Sequence, residues 1–372
     1  MKRFFITSAL LGLVGCQQTP YLTDNAEQRQ SPKEGQETQV NAVRPALDFF
    51  SSYMSEAGSN QCLSKNSNSP CVEDAIPAEA FFNALKQSQR FVDVLPSSNQ
   101  HDYQVLIANE AAQVARTSWQ KFQGSVLGDQ RYRADTTTYF TEISLQWRGL
   151  EIHSEMFELD VPTQTDPDNA KLASQVVEQW ADSSESQGIF TPSYLFAALK
   201  ASDYQRDLKI PANIGEFENT DTQLYPDPFK GVISRYIHPI YENAVMDITV
   251  YPILQDINTP LPDLLNFEMQ NELHQAQMVA EARQTPLVVD VPPSPFESAG
   301  NSGYRLALSA TGTDGEPMFA TSYVFKMEDK IVKFSGTFPP RIADDLVSRT
   351  LPLMNVPGES ELMAELRQIA HQ

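Results

Sequence analysis

The chain has 372 residues, of which 41% are hydrophobic and 20% are charged. At roughly 100–200 residues per domain, this length predicts two folded domains with apolar cores rather than a disordered chain. With 27 basic against 48 acidic residues the net charge is −21, which disfavours nucleic acid as a partner and disfavours a polybasic grip on anionic lipid.

The N-terminal segment has the pattern of an export signal. Lys2 and Arg3 are followed by a short apolar run that ends in Leu13-Val14-Gly15-Cys16. This run is too short to span a bilayer core of about 30 Å as a permanent helix. The pattern therefore predicts a signal peptide over residues 1–15.

The same segment resembles the lipobox of bacterial lipoproteins, in which small or apolar residues precede a cysteine. The resemblance implies a diacylglyceryl group on the Cys16 sulfur, cleavage between Gly15 and Cys16, and palmitate-type acylation of the new amino terminus. Two or three acyl chains anchor stably, whereas one binds only marginally. Gln17 and Gln18 follow without an aspartate, which implies an outer-membrane lipoprotein facing the periplasm. The alternative is an ordinary secretory peptide with a chance cysteine.

The remaining cysteines are Cys62 and Cys71. An even remainder in an exported protein predicts a structural disulfide. A redox pair is the alternative, although such pairs usually have Cys-x-x-Cys spacing. Residues 16–45 are polar and nearly free of large aliphatic side chains, so they are interpreted as a lipidated flexible tether.

Residues 46–205 are predicted to form an N-terminal α+β domain. A short helix is expected around residues 49–54, because Phe49, Phe50, Tyr53 and Met54 have helical spacing. Residues 111–135 are left unassigned. The other predicted elements are a helix from Pro77, strands 91–95, 103–108, 136–147 and 150–161 (the last two joined by a hairpin at Arg148-Gly149), and helices 168–182 and 192–204.

Part of this domain resembles the N-terminal α/β module of the TolB class of envelope proteins. The resemblance rests on Phe81, Leu85 and Phe91-Val92-x-Val94, followed by Asp102-Tyr103 and Ile107. It covers about thirty residues and implies a helix followed by amphipathic strands. A generic helix and strand explains the same pattern.

Residues 206–372 are predicted to form a second α+β domain. Strands are expected at 229–237, 244–254, 304–311, 318–326 and 331–338, with helices at 262–283, 341–350 and 359–370 and a proline-rich loop at 291–296. The order β-β-α-β-β-β-α resembles the PsbP class, an antiparallel sheet covered by helices. The predicted fold class is thus α+β, with two domains that each pack an antiparallel sheet against helices.

The sequence assigns no catalytic residue, metal ligand or cofactor. It lacks a Gly-rich phosphate loop and the G-x-S-x-G nucleophile motif. Ser118 and Lys121 match S-x-x-K without its partner motifs, and His153 with Glu155 is interpreted as a solvent-facing strand pair rather than a zinc site. The acidic loop 216–227, which ends at Asp227, is interpreted as solvated rather than as a cation site. Tyr236, Tyr241 and Tyr251 are considered either as an exposed binding patch or as residues of a half-buried sheet.

These observations favour a lipid-anchored, non-enzymatic envelope protein that binds another envelope component. The membrane is the expected partner through the lipid anchor, together with an envelope protein. Two alternatives stay open. One is a carrier of lipid or another apolar ligand, which needs an internal cavity of roughly several hundred Å³. The other is a hydrolase whose site lacks a recognisable motif.

Overall fold

The protein is described here by a computed structural model that covers residues 44–65, 70–114, 126, 135–163, 167–241, 243–312 and 315–370. The predicted signal peptide, the predicted lipidation residue Cys16 and the predicted tether up to residue 43 lie outside the described residues. The same is true of Ser118 and Lys121.

The described strands form two sheets. The strands of the first sheet are β1 (Leu47–Ser51), β2 (Val72–Glu73), β3 (Val94–Pro96), β4 (Tyr103–Val114), β5 (Thr136–Trp147) and β6 (Leu150–Pro162). The strands of the second sheet are β7 (Asn213–Ile214), β8 (Phe217–Leu224), β9 (Val232–Ile237), β10 (Val245–Pro252), β11 (Leu287–Ser298), β12 (Asn301–Thr311), β13 (Pro317–Met327) and β14 (Lys330–Gly336). The first sheet has the order β3-β1-β4-β5-β6, with β2 paired to β4, and the second has the order β11-β12-β13-β14-β10-β9-β8-β7.

Helices pack against both sheets. They are α1 (Glu56–Lys65), α2 (Ala78–Gln87), α3 (Asn169–Gln187), α4 (Pro192–Ala198), α5 (Tyr204–Asp207), α6 (Leu261–Ala282), α7 (Pro340–Thr350) and α8 (Glu361–Ala370). Short 3₁₀ turns occupy Pro228–Lys230 and Leu351–Leu353. No helix within the described ranges is both long enough and apolar enough to cross a membrane.

The helix predicted at residues 49–54 is wrong. Strand β1 begins at Leu47 and lies parallel between β3 and β4, with Leu47 and Phe49 in the core. Leu47 and Phe49 lie on one face of the strand, and Asp48 between them is a buried carboxylate that accepts the backbone N–H of His101 at 3.0 Å. The aromatic residues fit a buried strand as well as they fit helical spacing, so only the strand partners distinguish the two.

The hairpin predicted at Arg148-Gly149 is confirmed. Strands β5 and β6 pair antiparallel from Thr136↔Pro162 to Trp147↔Leu150, and both turn residues have positive φ angles of 48° and 83°. Two successive left-handed residues form the tight turn whose twist matches the flanking strands.

One face of the first sheet is covered by helices α2 and α3. In the core between them, Phe91 stacks on Trp180 with 5.7 Å between ring centroids.

The loop predicted at residues 291–296 is also wrong, because these residues belong to edge strand β11. The pairing of β11 with β12 shifts register between Val289 and Val291 and again between Val291 and Ser294. Proline has no N–H to donate to a sheet, so it is tolerated at edges and bulges. Pro292 and Pro293 fall inside the second register shift, which explains how the strand passes through them.

The predicted α+β fold class is confirmed, with helices and two sheets rich in antiparallel pairs. The chain passes from the first sheet to the second between Pro162 and Asn213. The predicted boundary near residue 206 lies in this interval and stays a prediction. The last helix returns to the first core, where Leu362 and Leu366 pack and Lys200 pairs with Glu361.

Candidate functional site

The candidate site is an open cleft at one end of the second sheet. One wall is the β7–β8 hairpin, whose turn contains Gly215 with a φ of +59°. The other wall is the connection that follows β9. The cleft has a volume of about 320 Å³ and is lined by Asn213, Gly215, Glu216, Glu218, His238, Pro239 and Ile240.

His238 is the buried polar residue of this cleft. Its Nδ1 accepts the backbone N–H groups of Ile240, at 3.1 Å, and Tyr241, at 3.3 Å. A neutral imidazole has one donor and one acceptor nitrogen, so Nε2 carries the proton. Nε2–H then donates to Glu216 Oε2 at 3.0 Å. His238 therefore shapes the connection after β9 and orients the Glu216 carboxylate, which is otherwise solvent-exposed.

Exposed apolar side chains lie beside the two carboxylates of the cleft, Glu216 and Glu218. Ile240 is 75% exposed and Tyr241 is 65% exposed, while the Tyr241 ring lies 4.8 Å from the His238 ring. Packing against the imidazole on one side leaves the rest of Tyr241 in solvent. The surface formed by Glu216, Glu218, His238, Ile240 and Tyr241 is called the cleft surface below. It combines negative charge with exposed apolar area.

Of the two interpretations of the three tyrosines, the half-buried sheet is correct for Tyr236 and Tyr251, and the exposed patch of three is wrong. Tyr236 is buried and its hydroxyl donates to the Pro211 carbonyl at 2.7 Å. Tyr251 lies under α6 and its hydroxyl donates to Glu268 at 2.9 Å. Burial, with Glu268 nearby, raises the Tyr251 pKa well above its ordinary value. Of the three, only Tyr241 faces solvent.

The acidic segment 216–227 is not a loop, since most of it forms strand β8. Asp227 accepts the N–H of Phe229 at 2.9 Å and pairs with Arg148 at 3.1 Å. It thereby begins the 3₁₀ turn and links that turn to the β5–β6 hairpin. These contacts give Asp227 a structural role.

His153 and Glu155 are not a solvent-facing pair. The His153 Nδ1 lies 2.8 Å from the Tyr194 hydroxyl of α4, and Glu155 accepts from Ser183 of α3 at 3.0 Å. His153 Nε2 and Glu155 Oε2 lie 3.6 Å apart, and neither has a hydrogen-bond partner among the described atoms. No third His, Cys or carboxylate joins them in the described part of the chain, so the pair does not complete a metal site.

Cys62 and Cys71 lie at disulfide-bonding distance, as the sequence predicts, with their Cα atoms 6.3 Å apart. Cys62 is fully buried against Ala112 and Phe140. A third residue, Glu110 of β4, lies beside them, and sequence reasoning missed it. Its signal was a carboxylate in the segment Ala108 to Ala112, which otherwise holds only alanine and the uncharged Asn109 and which the structure buries.

We expect the double variant Cys62→Ala/Cys71→Ala to lose about 2–3 kcal/mol of unfolding free energy, because an open loop gives the unfolded chain more conformations. Urea denaturation followed by circular dichroism measures the loss. Reduced wild-type protein is the control and is expected to match the variant. An unfolding free energy that is identical in oxidised and reduced wild type would contradict the disulfide.

The fold and the cleft together describe an α+β protein with two antiparallel-rich sheets and an acidic, partly apolar cleft at the end of the second. Neither the protein-family models nor the curated proteins include a match to this chain. Among solved structures, the chain is similar to cyanobacterial PsbP (CyanoP) from Synechocystis sp. PCC 6803, at 11% identity and a TM-score of 0.27. The match covers 40% of this chain and 92% of the PsbP chain.

Proposed function

We propose that this chain is a lipid-anchored protein of the bacterial cell envelope, attached through Cys16 and acting by binding another envelope protein. The anchor rests on Lys2-Arg3, the apolar run and Leu13-Val14-Gly15-Cys16. The absence of an aspartate at Gln17 and Gln18 favours the outer membrane, with the folded part facing the periplasm. A cysteine pair at disulfide distance fits an oxidising compartment.

The single observation that carries the binding role is the exposure of Ile240 and Tyr241 beside Glu216. Apolar side chains that stay in water contribute no burial free energy to the folding of the isolated chain. Exposed apolar area surrounded by polar groups is typical of interaction sites. Tyrosine is enriched in such interfaces. The two carboxylates of the cleft favour a partner that presents a cationic side chain.

The lining of the cleft favours binding over acyl-transfer chemistry or ligand carriage. The described lining residues include no Ser, Thr or Cys that could act as a nucleophile. Carboxylates and an imidazole line the open cleft, whereas a lipid carrier needs an enclosed apolar cavity. The cleft therefore supports a protein partner better than it supports either alternative.

The anchor is tested with Cys16→Ser. We expect wild type in the membrane fraction, with processing that is sensitive to globomycin. The variant should stay soluble or uncleaved, because serine has no sulfur to accept the diacylglyceryl group. Thr19→Ser, a serine substitution in the same segment, is the control and should fractionate like wild type. A Cys16→Ser protein that keeps a lipidated, globomycin-sensitive form would contradict the anchor.

The binding role is tested by placing a photo-crosslinking phenylalanine analogue at Tyr241 in native membranes. We expect one discrete crosslinked envelope protein. The matched control is the same substitution at Tyr53, which is 88% exposed and lies near the first sheet. Glu216→Gln, added to the Tyr241 probe, should reduce the yield by up to about fivefold, since an exposed charge pair across an interface contributes up to about 1 kcal/mol. Equal capture from both probe positions would contradict a role for the cleft surface.

A further inference from the structure

Three potential metal ligands lie close together where helix α1 packs on strands β4 and β5. One sulfur each from Cys62 and Cys71 and one carboxylate oxygen of Glu110 all lie within 4.8 Å of one another. Helix α1 supplies Cys62, the segment before β2 supplies Cys71, and β4 supplies Glu110. They form a cluster that is separate from the cleft surface, because they lie on or against the first sheet and the cleft lies at the second.

The Glu110 carboxylate is only half satisfied. Its Oε1 accepts the Ser59 hydroxyl at 2.8 Å, while its Oε2 is buried and has no hydrogen-bond partner among the described atoms. Glu110 as a whole is more than nine-tenths buried. An unpaired buried carboxylate oxygen costs free energy, so its retention beside two sulfurs needs an explanation. A cation held between the Glu110 carboxylate and the sulfurs would compensate its buried charge.

The surroundings of the cluster are rich in sulfur. The thioether side chains of Met54 and Met156 pack against the same small core as Cys62, together with Ala112 and Phe140. Cys71 is partly exposed, so the cluster opens to solvent on that side. This environment provides soft ligands, a buried carboxylate and a route for one water molecule.

We propose that reduction of the Cys62–Cys71 disulfide converts this cluster into a Zn²⁺ site with Cys62, Cys71 and Glu110 as ligands and water as the fourth. A dithiol reductant donates two electrons and two protons to the S–S bond and becomes a disulfide itself. Zn²⁺ then displaces both thiol protons to solvent. A disulfide oxidant that accepts two electrons from the two thiolates re-forms the Cys62–Cys71 bond, leaves as two thiolates of its own and releases the ion, so metal occupancy reports the redox state.

The geometry needs only small movements. In a tetrahedral site with Zn–S near 2.3 Å, the two sulfurs stand about 3.8 Å apart, and a carboxylate oxygen lies at a similar distance from each. The sulfurs must separate once their bond is broken, and Glu110 must approach by at most about 1 Å, because its oxygen lies within 4.8 Å of both sulfurs. Two thiolates and one carboxylate carry three negative charges, and bound Zn²⁺ reduces the net charge of the site to −1.

The test uses the full chain with Cys16→Ser, so that Cys62 and Cys71 are the only thiols. The protein is reduced with a phosphine, which is then removed, and it is titrated with Zn²⁺ against a chromophoric chelator. Co²⁺ serves as a spectroscopic probe of thiolate ligation. We expect one Zn²⁺ per reduced chain, none per oxidised chain, and a thiolate-to-cobalt charge-transfer band.

The decisive variant is Glu110→Gln, which keeps the size of the side chain and removes its charge. We expect zinc affinity to fall at least about tenfold, since even residues that only orient ligands contribute that much. Glu73→Gln is the matched control, because Glu73 pairs directly with Glu110 across β2 and β4 but is exposed. It should bind within about twofold of wild type.

Two results would overturn the proposal. One is a reduced chain that binds no Zn²⁺. The other is zinc affinity that is equal in wild type and Glu110→Gln, which would also be the behaviour of two thiols in an unfolded chain. Circular dichroism of each reduced protein shows whether it is folded. None of these measurements depends on a partner at the cleft surface.

Discussion

Gly231→Ala is expected to lose about 3–5 kcal/mol of unfolding free energy. Gly231 follows the 3₁₀ turn with φ 66° and ψ −122°, a conformation that essentially only glycine adopts at low cost. A Cβ atom there would lie 1.9 Å from the Val250 carbonyl oxygen and 2.9 Å from the Tyr251 Cα. These are backbone atoms of central strand β10, so they cannot rotate away. The backbone conformation and the forced separation each cost about 1–3 kcal/mol.

Urea denaturation of Gly231→Ala and Gly149→Ala separates the two causes. Gly149 also has a positive φ, 83°, but a Cβ there would meet nothing within 4 Å. Gly149→Ala should therefore lose about 1–2 kcal/mol of unfolding free energy, the cost of the left-handed backbone conformation alone. Equal losses in the two variants would show that the contact with β10 contributes nothing.

Asp329→Asn is expected to cost about 3–5 kcal/mol, the loss that follows when one partner of a buried ion pair is removed. Asp329 and Lys330 are both buried and pair with each other, and Lys330 Nζ also donates to the Gly358 carbonyl at 3.1 Å. Arg367 of α8 reaches Asp329 at 3.1 Å and donates to the Ile253 carbonyl at 3.1 Å. This ion network therefore attaches the last helix to the second sheet.

The pH dependence of this variant has a defined sign. Burial lowers the pKa of Lys330 from its ordinary value of 10.5, although Asp329 opposes the shift. Between the lowered pKa and 10.5 the unfolded chain binds more protons, so stability rises with pH. Without Asp329 the pKa falls further and this rise begins at lower pH.

Unfolding free energies near pH 7 and near pH 10 measure this dependence. The deficit of Asp329→Asn relative to wild type should be smaller at the higher pH, where Lys330 is closer to neutral. Glu328→Gln changes the exposed neighbour and should stay within about 0.5 kcal/mol of wild type at both pH values. A deficit that grows with pH would contradict the assignment of the charge to Lys330.

The secondary-structure elements that were predicted correctly have a local sequence that fits only one backbone conformation. Pro77 precedes α2, and Arg148-Gly149 makes the turn between β5 and β6. The long apolar stripe predicted as a helix over 262–283 corresponds to α6, Leu261–Ala282. Each of these signals is contained within neighbouring residues, so no tertiary partner is needed to interpret it.

The elements that were predicted wrongly have a local sequence that fits two backbone conformations. The aromatic run at β1 fits a helix or a buried strand, and the prolines of β11 fit a loop or an irregular edge strand. In both cases a hydrogen-bonded neighbour that is distant in sequence decides the outcome. Tyr236 and Tyr241 show the same limit, because one is buried and the other exposed although the sequence treats them alike.

The sequence by itself predicted an export signal ending at Cys16, which stays a prediction, and it determined the cysteine pair and the α+β class, because these depend on short motifs, composition and periodicity. Only the tertiary structure decided which groups meet. It joined Glu216 to His238, placed Glu110 beside Cys62 and Cys71, and buried Asp329 with Lys330 and Arg367. Apart from the neighbours Asp329 and Lys330, these residues are brought together by strand pairing and by the packing of helices on sheets, and such contacts leave no periodic signal in one chain.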